Sequence, residues 1–174
     1  YLLRETQGDK GRVQLLGSGT ILREVEAAAE LLANDWGIGA DIWSVTSFNE
    51  LRREALLLER ESFLNPDDEA TKPHVTACLE GRDGPVIAST DYMKLYADQV
   101  RAWVPNDYTV LGTDGFGRSD THEKLRYFFE VDRYFVTVAA LRALAARGEI
   151  DRKHVGEALK KYGIDANKPN PLTS

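Results

Sequence analysis

The sequence is poor in cysteine and histidine, and this scarcity removes several classes of site. Cys78 is the only cysteine among 174 residues, so no internal disulfide can form. The three histidines stand far apart, and no Cys/His spacing is typical of a zinc site. We therefore expect a reducing, cytoplasmic setting, no metal centre, and a small buried side chain at Cys78.

Long apolar runs and basic clusters are also missing. No stretch is long enough to span a bilayer, and no signal-peptide pattern opens the chain. The 22 basic residues are outnumbered by 28 acidic ones, which gives a net charge of −6. These features argue against membrane and nucleic-acid partners. The sequence starts at Tyr1 rather than Met, so we expect a piece of a longer or processed polypeptide.

What is present is an alternation of strand and helix patterns, which predicts an α/β fold. Alternation implies crossovers and a mostly parallel sheet with helices on both faces. The link between the first two strands is too short for a crossover, so the first strand must run antiparallel if those two pair. We predict a single three-layer α/β/α domain over residues 1–174 with a mixed five-stranded sheet. The predicted strands are Tyr1–Glu5, Val13–Leu16, Asp41–Thr46, Pro85–Thr90 and Tyr108–Leu111.

Capping residues predict where the helices begin and end. Residues 131–174 are predicted to be helical with an extended tail from Asn167 to Ser174. The segment His74–Glu80 is compatible with a strand or with one or two helical turns. The predicted caps are Ser18 or Thr20, Ser47, Asp91, Asp132 and Asp151, with Gly37, Gly148 and Gly163 as stops. The predicted helices of the second half are Tyr92–Trp103, Asp120–Phe129, Arg133–Arg147 and Arg152–Tyr162.

A first glycine turn, Gly17-Ser18-Gly19-Thr20, lies between a strand and a helix, as dinucleotide-binding loops do. It lacks the third glycine of that motif, because position 22 is leucine. The next strand ends without the acid that would bind a ribose, and Asp41 stands at its wrong end. A tight strand-to-helix turn is the favoured interpretation, with an anion at the helix end as the alternative.

A second glycine turn lies in Gly112–Asp120. Arg118 can hold a carboxylate or phosphate through a two-pronged hydrogen bond. Asp114 and Asp120 are near enough to pair with Arg118 instead, and this internal salt bridge is the favoured interpretation. Phe116 stands between two glycines, so we expect it to be exposed or interfacial and to contact a partner.

The remaining polar residues form no catalytic constellation. His74 lies in a predicted loop, and His122 and His154 lie in the first turns of helices. No G-x-S-x-G nucleophile motif is present. Acidic residues interleave with the lysines of Arg152–Tyr162, which favours a solvated helix over a DNA-reading one. We predict no catalytic, cofactor-binding or metal-binding residue. The candidates for anion or partner contact are Gly17, Ser18, Gly19, Thr20, Asp114, Phe116, Arg118 and His122.

The stretch Val110–Asp120, read VLGTDGFGRSD, closely resembles one family. This family is the homodimeric type of the decarboxylating component of pyruvate dehydrogenase complexes, and the likeness covers its transketolase-type C-terminal domain. His122 departs from the pattern, which has arginine there. Segments that agree in the same order are Val13–Thr20, Ser44–Phe48, Ala88–Lys94, Phe129–Asp132, Arg147–Asp151 and Asn167–Pro171.

The resemblance implies decarboxylation of pyruvate with thiamine diphosphate and Mg²⁺, and transfer of the acetyl group to a lipoyl arm. In this superfamily the cofactor lies between other domains, and no G-D-G cofactor motif occurs here. The implied role is therefore non-catalytic support of a dimer, through contacts to the other domains, the second subunit and the dihydrolipoyl acyltransferase. Apolar candidates for such contacts are Trp43, Trp103, Phe116 and Tyr134.

Two alternatives stay open. The first is a regulatory small-anion site at Gly17–Thr20 or Gly115–Arg118, on the sheet edge where open α/β sheets bind ligands. The second is an independent hydrolase or oxidoreductase.

Overall fold

The computed structural model describes all 174 residues and contains one five-stranded sheet with the order β1-β3-β2-β4-β5. The strands β2, β3, β4 and β5 are parallel, and β1 runs antiparallel to β3. Helices cover both faces, so the predicted mixed three-layer α/β/α architecture is confirmed. The strands are β1 Leu2–Glu5, β2 Arg12–Gly17, β3 Gly39–Ser44, β4 Val86–Ser89 and β5 Tyr108–Leu111.

The antiparallel first strand pairs with β3 and not with its neighbour in sequence, β2. Both edges of β2 are occupied by parallel partners, so the short link must step past β3. This passage requires close contact between two glycines, because a Cβ on Gly8 would overlap the backbone nitrogen of Gly39. Thr6 then fastens the link, since its N–H donates to the carbonyl of Ala40 at 2.8 Å.

Seven helices connect and follow the strands. The ambiguous segment His74–Glu80 is helical, and Ser47 and Asp132 cap their helices as predicted. The helix before Gly37 consists of a 3₁₀ turn over Gly19–Ile21, then α1, then a π-helical turn over Leu32–Trp36. The α-helices are α1 Leu22–Leu31, α2 Phe48–Leu64, α3 His74–Leu79, α4 Lys94–Asp98, α5 His122–Phe128, α6 Arg133–Ala146 and α7 Lys153–Lys161.

The sheet separates two apolar cores. One core joins it to α1, α6 and α7, and Leu15, Val25 and Leu144 are fully buried there. The other joins it to α2, α3 and α4 around Leu16 and Trp43. The central strands β2, β3 and β4 are buried on both faces and do not alternate between apolar and exposed polar residues. Their apolar sequence is interrupted by Gln14 and Asp41, which are also buried.

Two predicted caps are wrong. Ser18 makes no side-chain capping bond, because α1 begins through the 3₁₀ turn at Gly19–Ile21. Asp91 caps nothing either, since its carboxylate accepts a hydrogen bond from the Thr20 hydroxyl at 3.2 Å. The predicted helix Tyr92–Trp103 is consequently shorter and is divided into α4 and a 3₁₀ turn over Arg101–Trp103.

Tyr134, a predicted candidate for partner contact, is 37% exposed on α6, where the buried residues include Val136, Ala140 and Leu144. The C-terminal tail departs from expectation. The tail is not extended, because the Thr173 N–H donates to the Asn170 carbonyl at 3.1 Å and closes a turn.

Candidate functional site

A cleft of about 470 Å³ opens at the carboxyl ends of β2, β4 and β5. The chain leaves β2 toward β3 on one side and later returns to β4 on the other, so the crossover direction reverses here. Open α/β sheets bind ligands at such a switch point. The polar residues and glycines that line this carboxyl-edge cleft are Thr20, Asp91, Thr113, Gly115, Gly117, Arg118, His122 and Arg126.

Three of the residues predicted for anion or partner contact, Thr20, Arg118 and His122, therefore line one cleft. They come from segments about a hundred residues apart in sequence. The chain order of the strands brings them together, and a sequence pattern alone gives no signal of it. Gly17, the final residue of β2, is buried and does not line the cleft.

The first glycine turn already faces a carboxylate. Gly19 has φ +59°, and a Cβ there would lie 2.9 Å from the Oδ1 atom of Asp91. Thr20 donates to the same carboxylate, and the Ser18 N–H donates to the carbonyl of Ser89 at 3.2 Å. The negative charge of Asp91 makes this side of the cleft unfavourable for a bound anion.

The second glycine turn leaves Arg118 without the predicted salt bridge. Asp114 instead accepts the backbone N–H of Lys94 at 3.0 Å. Asp120 accepts the N–H of Thr121 at 2.8 Å and pairs with Lys124 at 3.7 Å. The prediction is wrong because these short carboxylates bind nearby backbone groups and a lysine one helical turn away. The Arg118 guanidinium lies 3.9 Å from the centroid of the Phe128 ring.

Behind the cleft, Glu24 joins three helices. Its buried carboxylate accepts hydrogen bonds from Arg126 of α5 at 2.8 Å and from the Arg133 side chain of α6 at 2.9 Å. Burial disfavours its charged form, but the hydrogen bonds and charge of Arg133, with the charge of Arg126, outweigh burial and lower the pKa of Glu24. Sequence reasoning missed this cluster because its members are about a hundred residues apart.

Asp132 caps α6 beside this cluster. Its carboxylate accepts the N–H groups of Tyr134 and Phe135, both at 2.9 Å. Burial raises the pKa of Asp132, the two backbone hydrogen bonds oppose that effect, and the negative charge of Glu24 adds to it. The cap therefore fixes the start of α6 next to the Glu24 ion pairs.

An exposed apolar surface adjoins the cleft. We call it the aromatic face, and its members are Tyr92, Met93, Leu95, Tyr96 and Phe116. Its two segments are fastened together, because the Thr113 N–H donates to the Tyr92 carbonyl at 2.9 Å. Gly112 permits this approach, since a Cβ there would lie 2.8 Å from that carbonyl oxygen. Phe116 is 80% exposed, whereas Trp43 is buried and Trp103 is half-buried, with its N–H donating to Glu59.

A smaller cleft of about 250 Å³ lies beside α3. Because this segment is helical, His74 and Cys78 fall one turn apart, with Nε2 and Sγ separated by 3.4 Å. Cys78 is half-buried rather than buried as predicted. No group of three or more histidine, cysteine, aspartate or glutamate residues is placed to hold a metal ion. None of the helices has the length and apolar character needed to cross a bilayer.

Together the mixed sheet and its switch point define an open α/β domain. The family model of the transketolase-like TK C-terminal domain matches residues 1–132. The chain belongs to this family. The beta4 tetramer of a split-gene transketolase has a similar fold, with a TM-score of 0.52 and 16% identity over 82% of this chain and 42% of that one.

Relatives of higher identity bear a more specific name. The pyruvate dehydrogenase E1 component of Pseudomonas aeruginosa is 64% identical over 99% of this chain and 20% of its own length. The E1 component of Escherichia coli K12 is 56% identical over 98% of this chain and 19% of its own. The E1 component of Mycolicibacterium smegmatis is 45% identical over 95% of this chain and 18% of its own length. The chain thus spans about a fifth of the length of the curated relatives it matches.

Proposed function

We propose that this chain is the non-catalytic C-terminal domain of a pyruvate dehydrogenase E1 component. The whole polypeptide would decarboxylate pyruvate with thiamine diphosphate and pass the acetyl group to a lipoyl arm. The observation that carries this proposal is the 64% identity to one E1 component over 99% of the chain. The chain makes up only a fifth of that relative, so most of the reaction machinery would lie elsewhere.

The residues present do not fit the cofactor or its metal. Mg²⁺ beside a diphosphate is held by one or two available carboxylates together with phosphate oxygens and water. No group of three or more acidic, cysteine or histidine side chains converges in the chain to hold an ion by itself. The carboxylates near the carboxyl-edge cleft are engaged, because Glu24 binds two arginines and Asp91 accepts from Thr20. We therefore assign the thiamine diphosphate and Mg²⁺ sites to other parts of the polypeptide.

The role we assign to this domain is to dock onto the rest of the same polypeptide through the aromatic face. Five large apolar side chains are exposed to solvent there, on two backbone segments that are joined by a hydrogen bond. Several large apolar side chains exposed on neighbouring segments are typical of an interaction site. About four-fifths of the length of the relatives lies outside this chain, which supplies an occupant of the required size.

A chimera tests this role. This chain would replace the region it matches in the Pseudomonas aeruginosa protein, and Phe116→Ser would be made both in the chimera and in the isolated chain. Because Phe116 is 80% exposed, the isolated chain should keep its melting temperature within about 1 °C. The chimera should lose about 1.5–3 kcal/mol of stability, the contribution of a buried phenylalanine side chain.

Phe63→Ser provides the matched control. Phe63 is 83% exposed at the end of α2, next to an acidic loop, and should affect neither protein. Equal effects of Phe116→Ser and Phe63→Ser in the chimera would contradict the assigned docking face.

We further propose that the whole polypeptide acts in the cytoplasm as a homodimer and delivers acetyl groups to the dihydrolipoyl acyltransferase. The family resemblance supports these partners. A solved relative of the same fold is itself a tetramer of its beta chain. Analytical ultracentrifugation of the chimera, alone and with the acyltransferase, tests both contacts.

A further inference from the structure

We propose that the carboxyl-edge cleft binds a small oxyanion, a carboxylate or a phosphate ester, on the guanidinium group of Arg118. This binding would be a second activity of the domain, separate from its proposed docking role. It goes beyond support of a catalytic centre, because it would let a small metabolite act on the domain directly.

The first argument is the charge state of Arg118. The chain carries a net charge of −6, and an exposed arginine in such a chain has many carboxylates available. The two nearest in sequence, Asp114 and Asp120, are bound to other groups. Arg118 makes no ion pair or hydrogen bond with any residue of the chain, so its positive charge in the cleft is not neutralised by a direct contact.

The second argument is that the guanidinium is already positioned. It lies 3.9 Å from the centroid of Phe128, close enough for a cation–π contact. Stacking uses the flat face of the guanidinium and leaves its N–H groups at the edge free to donate. These N–H groups match the paired oxygens of a carboxylate or phosphate. A preorganised side chain also loses less conformational entropy when a ligand binds.

A comparison with Lys168 shows that a cation near this ring does not have to remain unpaired. The Lys168 Nζ lies 5.6 Å from the centroid of Phe128, but it also pairs with Glu130 at 2.8 Å. Lys168 is thus neutralised and structural. Arg118, which contacts the same ring, has no such partner and lines the cleft.

The third argument is the surroundings of Arg118. Gly117 leaves the backbone beside Arg118 uncovered, because no heavy atom lies within 4 Å of where a Cβ on Gly117 would be. The ring of His122 lines the same cleft and makes no hydrogen bond within the chain, so it provides a second available donor. Asp91 repels an anion from the Thr20 side, which assigns the ligand to the side of Arg118 and His122.

Titration of the ¹⁵N-labelled chain with inorganic phosphate, and separately with acetate, tests the proposal by NMR. We expect saturable shifts of the amides of residues 115–118 and 122 with at least one of the two anions. Arg118→Gln should weaken that affinity at least about tenfold, since it removes a charge-assisted hydrogen-bond pair. Arg52→Gln is the matched control, because Arg52 is exposed on α2 and has no ion pair. It should bind like the parent chain.

Arg118→Lys separates the loss of charge from damage to the fold. It retains the cation without the planar fork, so binding should weaken by about threefold and the amide spectrum should stay dispersed. Saturation by phosphate alone would identify a phosphate-ester ligand, and saturation by acetate alone a carboxylate. Three results would overturn the proposal: no saturable shift with either anion, unchanged affinity in Arg118→Gln or Arg118→Lys, or the same response to chloride.

Discussion

The buried carboxylate of Glu24 gives the sharpest test of how the cleft is held together. Glu24→Gln keeps the size of the side chain but removes the negative charge that faces Arg126 and Arg133. Breaking a buried ion pair costs about 3–5 kcal/mol when both partners are inaccessible. The two arginine side chains are 26% and 43% exposed, so water compensates part of the loss. We expect a destabilisation of about 2 kcal/mol at pH 7.

Urea unfolding measures this loss. With a slope of about 2 kcal/mol per molar urea, the unfolding midpoint should fall by about 1 M. Glu26→Gln serves as the control, because Glu26 lies on the same helix and makes no ion pair or hydrogen bond. Its unfolding midpoint should remain within about 0.2 M of the parent chain.

The pH dependence has a defined sign. The pKa of Glu24 is lowered in the folded chain, so its contribution is fully present above the unfolded pKa of about 4.3. That contribution is lost as the pH falls through the folded pKa. The difference between the parent chain and Glu24→Gln should therefore shrink below about pH 4. A difference that stays constant down to pH 3, or a Glu24→Gln midpoint equal to that of Glu26→Gln, would refute the reasoning.

Two further substitutions test local geometry near the cleft. Gly115→Ala should destabilise the chain by about 1–3 kcal/mol in thermal melts, because Gly115 has φ +103° and a Cβ would overlap the Pro171 carbonyl. Gly117→Ala should leave the stability nearly unchanged, because a Cβ at Gly117 meets no neighbouring atom. Equal melting temperatures for Gly115→Ala and Gly117→Ala would contradict the geometry. Asp132→Ala should cost about 1–2 kcal/mol in urea titrations, since the buried cap accepts two backbone N–H groups. Asp151→Ala should cost less free energy of unfolding, because Asp151 is exposed and accepts a single backbone N–H, that of Lys153. A larger loss for Asp151→Ala than for Asp132→Ala would exclude this account of capping.

Much of the fold could be predicted from the sequence, because local signals are strong. The five strands occur where the pattern predicts them, with ends that differ by at most two residues. The caps Ser47 and Asp132 and the stop at Gly37 also occur as predicted. These features depend on backbone conformation and on burial within a few residues. The partner of the first strand could not be predicted, because it depends on how the short link passes Gly39.

The candidate site was predicted only in part. The glycine turns and Arg118 were identified from their own segments, and the structure places Thr20, Arg118 and His122 in one cleft. The predicted salt bridge of Arg118 does not form. Proximity in sequence does not determine whether an aspartate binds a nearby side chain or a backbone N–H. The Glu24 cluster could not be predicted from the sequence, because Arg126 and Arg133 are 102 and 109 residues away from Glu24.

The most direct test of the central claim is pyruvate decarboxylation in the presence of thiamine diphosphate and Mg²⁺. It should be measured for the isolated chain and for the chimera with the Pseudomonas aeruginosa protein. We predict activity in the chimera and neither activity nor thiamine diphosphate binding in the isolated chain. Decarboxylation by the isolated chain, or a folded chimera without activity, would contradict the assignment of this domain as a non-catalytic part of an E1 component.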